Sequence, residues 1–192
     1  MRSGRTYSAL CRRTWGVGIA LLMGTAPFAV AQTSTTGTVN GSLDGEQRTW
    51  HVLEHRSEEG TESSSTMGAM PGYGGESYIL DVQAHSEERF SVEGALHFSG
   101  MLDSLEGCPC ELTFTDSMYW TTTSMFDEVY RALESSVVVE SVAQVEDGIY
   151  RLTGRFSARL GFMESAMQEE PDATRTVVVE GTFVLERVLV RE

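Results

Sequence analysis

The chain has 192 residues, with 28 acidic residues against 14 basic ones and a formal net charge of −14. All of the basic residues are arginine. Such acidity argues against nucleic acid or an anionic membrane as a partner, because phosphate would repel it. Three cysteines in a chain this long exclude a disulfide-dense scaffold, and the length suits one domain with a real core.

Residues 1–31 read as an export signal rather than as part of the fold. Arg2, Arg5, Arg12 and Arg13 make a basic segment, and Trp15 to Met23 an apolar one. Pro27 precedes Ala29-Val30-Ala31, the small-x-small pattern before a cleavage point. The apolar run is shorter than the roughly 20 residues a spanning helix needs. The expectation is an exported protein, periplasmic or extracellular, with a single domain over 32–192 and no membrane insertion after the leader is removed. Loss of the four leader arginines leaves ten basic residues against 28 acids, a balance of −18.

Gln32 to Thr36 reads as a polar lead-in. A first hairpin follows, Thr38–Leu43 and Glu46–Arg56 around Asp44-Gly45, with Val39 opposite Trp50. Residues 57–75 are rich in Ser, Glu and Gly without an apolar period, and read as a mobile loop. Strands are expected at Ser77–His85 and Arg89–Phe98, with Phe90 and Val92 inward. Another is expected from Cys110 to about Tyr119, with Leu112 and Phe114 inward. Ser124 to Glu134 is the one expected helix. Ser124 and Asp127 are spaced as a capping box, and Met125, Phe126, Val129, Tyr130 and Leu133 recur at helical spacing.

The last third, Ser136 to Val190, organises the fold. Asp147-Gly148 is a type I′ hairpin signal. Counting outward pairs 143 with 152, 139 with 156 and 137 with 158. Ala143 and Val145 then join Val137, Val139, Leu152 and Phe156 on the core face, with Glu140 opposite Arg155 outside. The final strand, from about Arg175, is apolar on both faces and reads as central and doubly covered.

One apolar-x-Gly-x-apolar template recurs at Val39–Leu43, Val92–Leu96, Leu152–Phe156 and Val179–Phe183. Its three non-x positions share a strand face, so aromatics are expected to fold over the glycines. The fold class is all-β: a mostly antiparallel sandwich or filled barrel of about eight strands with one short helix.

Four groups of residues bear on chemistry. His51-Val52-Leu53-Glu54-His55 matches the H-x-x-E-H string of the inverzincin metallopeptidases, which implies zinc held by two histidines one helical turn apart. Here the string follows a hairpin turn in an alternating strand, where residues four apart are separated by roughly 13 Å. The expectation is therefore that His51 and His55 hold no metal. Cys108-Pro109-Cys110 carries the thiols that remain after leader removal, as a local disulfide or as a redox or soft-metal site. Met67, Met70 and His85 are the residue types of an exported copper site. No positioned nucleophile such as G-x-S-x-G occurs in the sequence.

These residues point to a non-enzymatic binding or structural module without a cofactor, its partner an unassigned protein or small molecule. The alternatives are a carrier of a small apolar ligand with 57–75 as lid, marked by an aromatic-lined cavity, and a metal or redox protein using Cys108 and Cys110.

Overall fold

The computed structural model describes residues 32–72, 75–124 and 126–191. They form an all-β fold, one large and mostly antiparallel sheet of eleven strands in a sandwich-like arrangement. In chain order these are β1 (Gln32–Leu43), β2 (Glu46–Ser57), β3 (Gly60–Ser63), β4 (Ser65–Gly72), β5 (Gly75–Ala84) and β6 (Leu96–Leu102). There follow β7 (Cys110–Glu111), β8 (Thr113–Trp120), β9 (Val129–Glu146), β10 (Ile149–Met163) and β11 (Asp172–Arg191). Neighbours run β10-β9-β8-β6-β5-β4-β11-β1-β2-β3. Because β10 also pairs β11, the path from β10 through β4 and β11 returns to its start. The pairing of β11 with β4 is parallel, over Leu189–Arg191 and Thr66–Gly68. Among the described residues no helix is long and apolar enough to cross a membrane. The expected leader at 1–31 lies outside the described residues.

The glycine template explains the centre of the core. Gly154-Arg155-Phe156 and Gly181-Thr182-Phe183 pair head to tail, so Gly154 faces Phe183 and Phe156 faces Gly181. A Cβ on Gly154 would meet the Phe183 ring at 2.3 Å. Phe98 of β6 then packs on both rings, with centroids 5.3 Å away, stacked on Phe156 and tilted on Phe183. Gly41 and Gly181 are themselves paired, with no room for a Cβ between their backbones. The fourth copy departs from the pattern. Gly94 lies in a turn at φ 72°, outside any strand.

Several expectations are corrected. The helix at Ser124–Glu134 is not formed: β9 starts at Val129 and pairs Trp120↔Val129 and Tyr119↔Tyr130. An isolated helix of that length is marginal, and pairing with β8 satisfies the same backbone while burying Val129 completely. The stretch 57–75, expected as a loop, contains β3 and β4. Its one strongly apolar inward residue, Met67, is fully buried. Gln32 to Thr36 continues β1 rather than leading into it, with a bulge between Thr35 and Gly37. Arg89–Ala95 is a turn-rich segment, and Phe90 is 46% exposed. Phe114 is 85% exposed at φ 52°, because the strand breaks at Leu112 and restarts as β8.

A turn forms at Asp147-Gly148, with Glu146 opposite Ile149, but only Gly148 has a positive φ, so it is not the expected type I′ turn, whose two central residues both need one. Register shifts beside Ile149, Thr153 and Arg159 then move the pairing, so Leu152 faces Val142 and Phe156 faces Val137. A one-residue slip reverses the faces of a strand. Ala143 and Val145 are therefore exposed, while the β10 side of the expected core, Leu152 to Phe162, is buried. Arg155 still reaches Glu140, at 2.7 Å. In β11, Val178 is 45% exposed, so this central strand is covered on one face only.

Candidate functional site

The histidine string lies on β2, inside a regular antiparallel pair with β1. Both histidines are half-buried, and their environments differ. His55 Nδ1 lies 3.1 Å from the Thr33 hydroxyl on β1. His51 belongs to a backbone bridge with His85 at the end of β5: each N–H donates to the other's carbonyl, at 2.7 and 2.8 Å. Its Nδ1 sits 4.0 Å from the Glu88 carboxylate.

Glu54 lies on the Trp50 face of β2, where alternation places it, and what the sequence does not show is its surroundings. It is 1% exposed, held by Arg56 Nε at 2.6 Å and near Arg187 Nε at 3.6 Å. Arg187 in turn binds Glu146 at 2.7 Å, and this hydrogen bond holds the Glu146 carboxyl below its ordinary range. Val52, Leu53 and Glu54 are buried in succession, so both faces of β2 are covered here. Ser64 supplies the second cover: its hydroxyl accepts from Leu53 N–H and its N–H donates to Leu53 carbonyl, both at 2.8 Å. Two adjacent apolar residues in an alternating strand were the available signal. Oε1 of the carboxylate is bonded to Arg56, while Oε2 is buried 3.6 Å from Arg187 Nε, without a hydrogen-bond partner among the described residues.

His85 is 2% exposed. Its Nδ1–H donates to the Ser91 carbonyl at 2.7 Å, and Phe90 lies edge-on at 5.1 Å between centroids. Nε2 has no hydrogen-bond partner among the described residues. Burial lowers its pKa, opposed in part by the bond to Ser91. Met67 and Met70 stand three apart on β4, Met67 opposite Leu80 in the core and Met70 opposite Ser77 at 45% exposure. The structure thus separates Met67, Met70 and His85. Among the described residues, no group of three or more His, Cys, Asp or Glu is placed to hold a metal ion.

Cys108 and Cys110 are half-exposed, with sulfurs 2.20 Å apart and Cα atoms 4.6 Å apart. Cys110 pairs with Val139 of β9 and both cysteines pack on the edge of the main core. Phe98, Phe156 and Phe183 pack on one another in the core. A surface depression of about 560 Å³ at the β2–β3 turn is lined by His55, Glu58, Glu59 and Glu62. Another, of about 510 Å³, lies among Phe114, Asp116, Arg131, Glu134 and Glu169. There the Arg131–Asp116 pair, at 2.9 Å, is already satisfied. Comparison with known protein families, with curated proteins and with solved structures finds no match to this chain.

Proposed function

We propose that this chain is an exported, non-enzymatic β-module that works by binding or as a structural part, in the periplasm or outside the cell. Its leader would be residues 1–31 and its single domain 32–192. One observation carries the reading: reciprocal Gly-x-Phe pairs under Phe98 fill the centre of the core with side chains, which leaves the surface for interaction. The chemically suggestive groups point the same way, since Glu54 is bound to Arg56 and His85 to Ser91. The strand path that returns to β10 favours a filled barrel over an open sandwich. The partial exposure of the Cys108–Cys110 disulfide supports, as a second reading, thiol exchange at that pair.

Elemental analysis of the purified exported protein, with thiol titration before and after a reductant, tests these together. The expected result is no stoichiometric metal and thiols that appear only on reduction. Stoichiometric zinc that is lost in the His51→Ala, His55→Ala double variant would overturn the non-enzymatic reading and restore the peptidase one.

A further inference from the structure

Three segments meet at one end of the sheet: 86–95, 121–128 leaving out residue 125, and 164–171. A second, smaller core of Ala95, Trp120, Val129 and Met163, with Val92 and Ala166 packed on it, draws them together. Gly94 N–H donates to Trp120 carbonyl at 2.9 Å, and Trp120 N–H to Ala95 carbonyl at 3.1 Å. Ala166 N–H and the Ser165 hydroxyl both donate to Phe126 carbonyl, at 3.2 and 3.0 Å. The Trp50 indole, from the main core, ties down Gly94 carbonyl at 2.9 Å. These segments therefore have fixed positions relative to the sheet.

Their outer side chains are not what a solvated end requires. Phe126 is 68% exposed, Met167 80% and Phe90 46%, each in a segment that the second core and its hydrogen bonds hold in place. Around them the three segments carry eight acids and one arginine in 25 residues, a net −7 out of −18 for all 161 residues after the leader. Arg89 is taken by Glu87. Glu93, Asp127, Glu128, Glu164, Glu169 and Glu170 have no ion-pair partner among the described residues.

We propose that this end is a docking surface for a cationic amphipathic polypeptide segment, one that sets apolar side chains against Phe126, Met167 and Phe90 and arginines or lysines against the carboxylates. Charge decides the occupant. A second copy of the chain brings the same acids and is repelled, as is an anionic lipid surface. An uncharged apolar partner would strip water from carboxylates without compensating them, at several kcal/mol per ion. A basic partner compensates each one, while the flexible Met167 and the aromatic rings supply adaptable contact area. The inference rests on the binding-module reading and names the partner class for it.

Calorimetric titration at physiological salt with a synthetic Leu/Lys amphipathic peptide tests it, beside a Ser/Lys peptide of equal charge, a Leu/Glu peptide and phosphatidylcholine vesicles. The Leu/Lys peptide should bind, and the Ser/Lys peptide at least about tenfold more weakly. Phe126→Ser with Met167→Ser should weaken Leu/Lys binding by a similar factor at unchanged melting temperature. Glu164→Gln, Glu169→Gln and Glu170→Gln together should also weaken it, whereas Glu58→Gln, Glu59→Gln and Glu62→Gln at the β2–β3 turn should not. No binding of the Leu/Lys peptide, equal binding by the serine variant, equal loss in both glutamine triples, or preference for the Leu/Glu peptide or the vesicles overturns the proposal. None of these outcomes touches the metal and thiol analysis on which the non-enzymatic reading is judged.

Discussion

His85 carries a pH dependence whose sign follows from its burial. Its folded pKa lies below the ordinary histidine value of about 6.5, so between the two the unfolded chain binds more protons. Stability is therefore lost as pH falls below about 6.5, and is fully present above it. The groups in contact with the ring are the Ser91 backbone and Phe90. A protonated Nε2 would have no acceptor among them in the present arrangement. Urea midpoints measured from about pH 7.5 to about pH 5 should decline in the native protein, in a window above most carboxyl titrations. They should decline less in His85→Gln. An equal decline in both would place the effect elsewhere.

The β9–β10 hairpin shows how a correctly placed turn can lead to a wrong face. Asp147-Gly148 is legible as a turn because glycine takes a positive φ that few other residues tolerate, and Gly148 sits at φ 67°. The shifts beyond it are not legible, because a bulge places one extra residue by long-range fit and needs no particular local residue. Their consequence is testable on adjacent residues. Val142→Asp introduces a charge on the side that faces Leu152 and packs on the core, and should lower stability by several kcal/mol. Ala143→Asp, on the exposed side, should change it by no more than about 0.5 kcal/mol. Chemical denaturation of both variants decides; equal effects would restore the unshifted register. The absent helix has a related cause. Residues 125–133 carry a period compatible with a helix, and the edge of β8 offers a competing set of backbone partners that no short window reveals.

Across the entire chain, repulsion among acids competes with pairing across strands. Arg151–Glu186, Arg155–Glu140 and Arg159–Glu134 bridge neighbouring strands at 2.6, 2.7 and 2.8 Å, all of them solvent-exposed. Exposed pairs of this kind contribute little, whereas a net charge of −14 acts over the whole surface. Raising ionic strength from about 0.01 M to about 0.15 M shortens the screening length from about 30 to about 8 Å. Repulsion should lose more than the pairs do, so the melting temperature should rise with sodium chloride in that range. A fall would mean that the cross-strand pairs dominate.

Alternation and turn chemistry, read along the chain, were enough for the all-β class, the two hairpin turns at Asp44-Gly45 and Asp147-Gly148, the pairing of Val39 with Trp50, and the inward face of β10. They also placed the H-x-x-E-H string on a strand. Each of these depends on dihedral preferences and side-chain period over a few residues. The burial of Glu54, the bridge of His51 to His85, the conversion of 57–75 into β3 and β4, and the meeting of three acidic segments around Trp120 depend on which strands become neighbours. Neighbour choice is settled by backbone groups seeking partners across tens of residues and by the fit of side chains such as Phe98 between Phe156 and Phe183. No local window contains either.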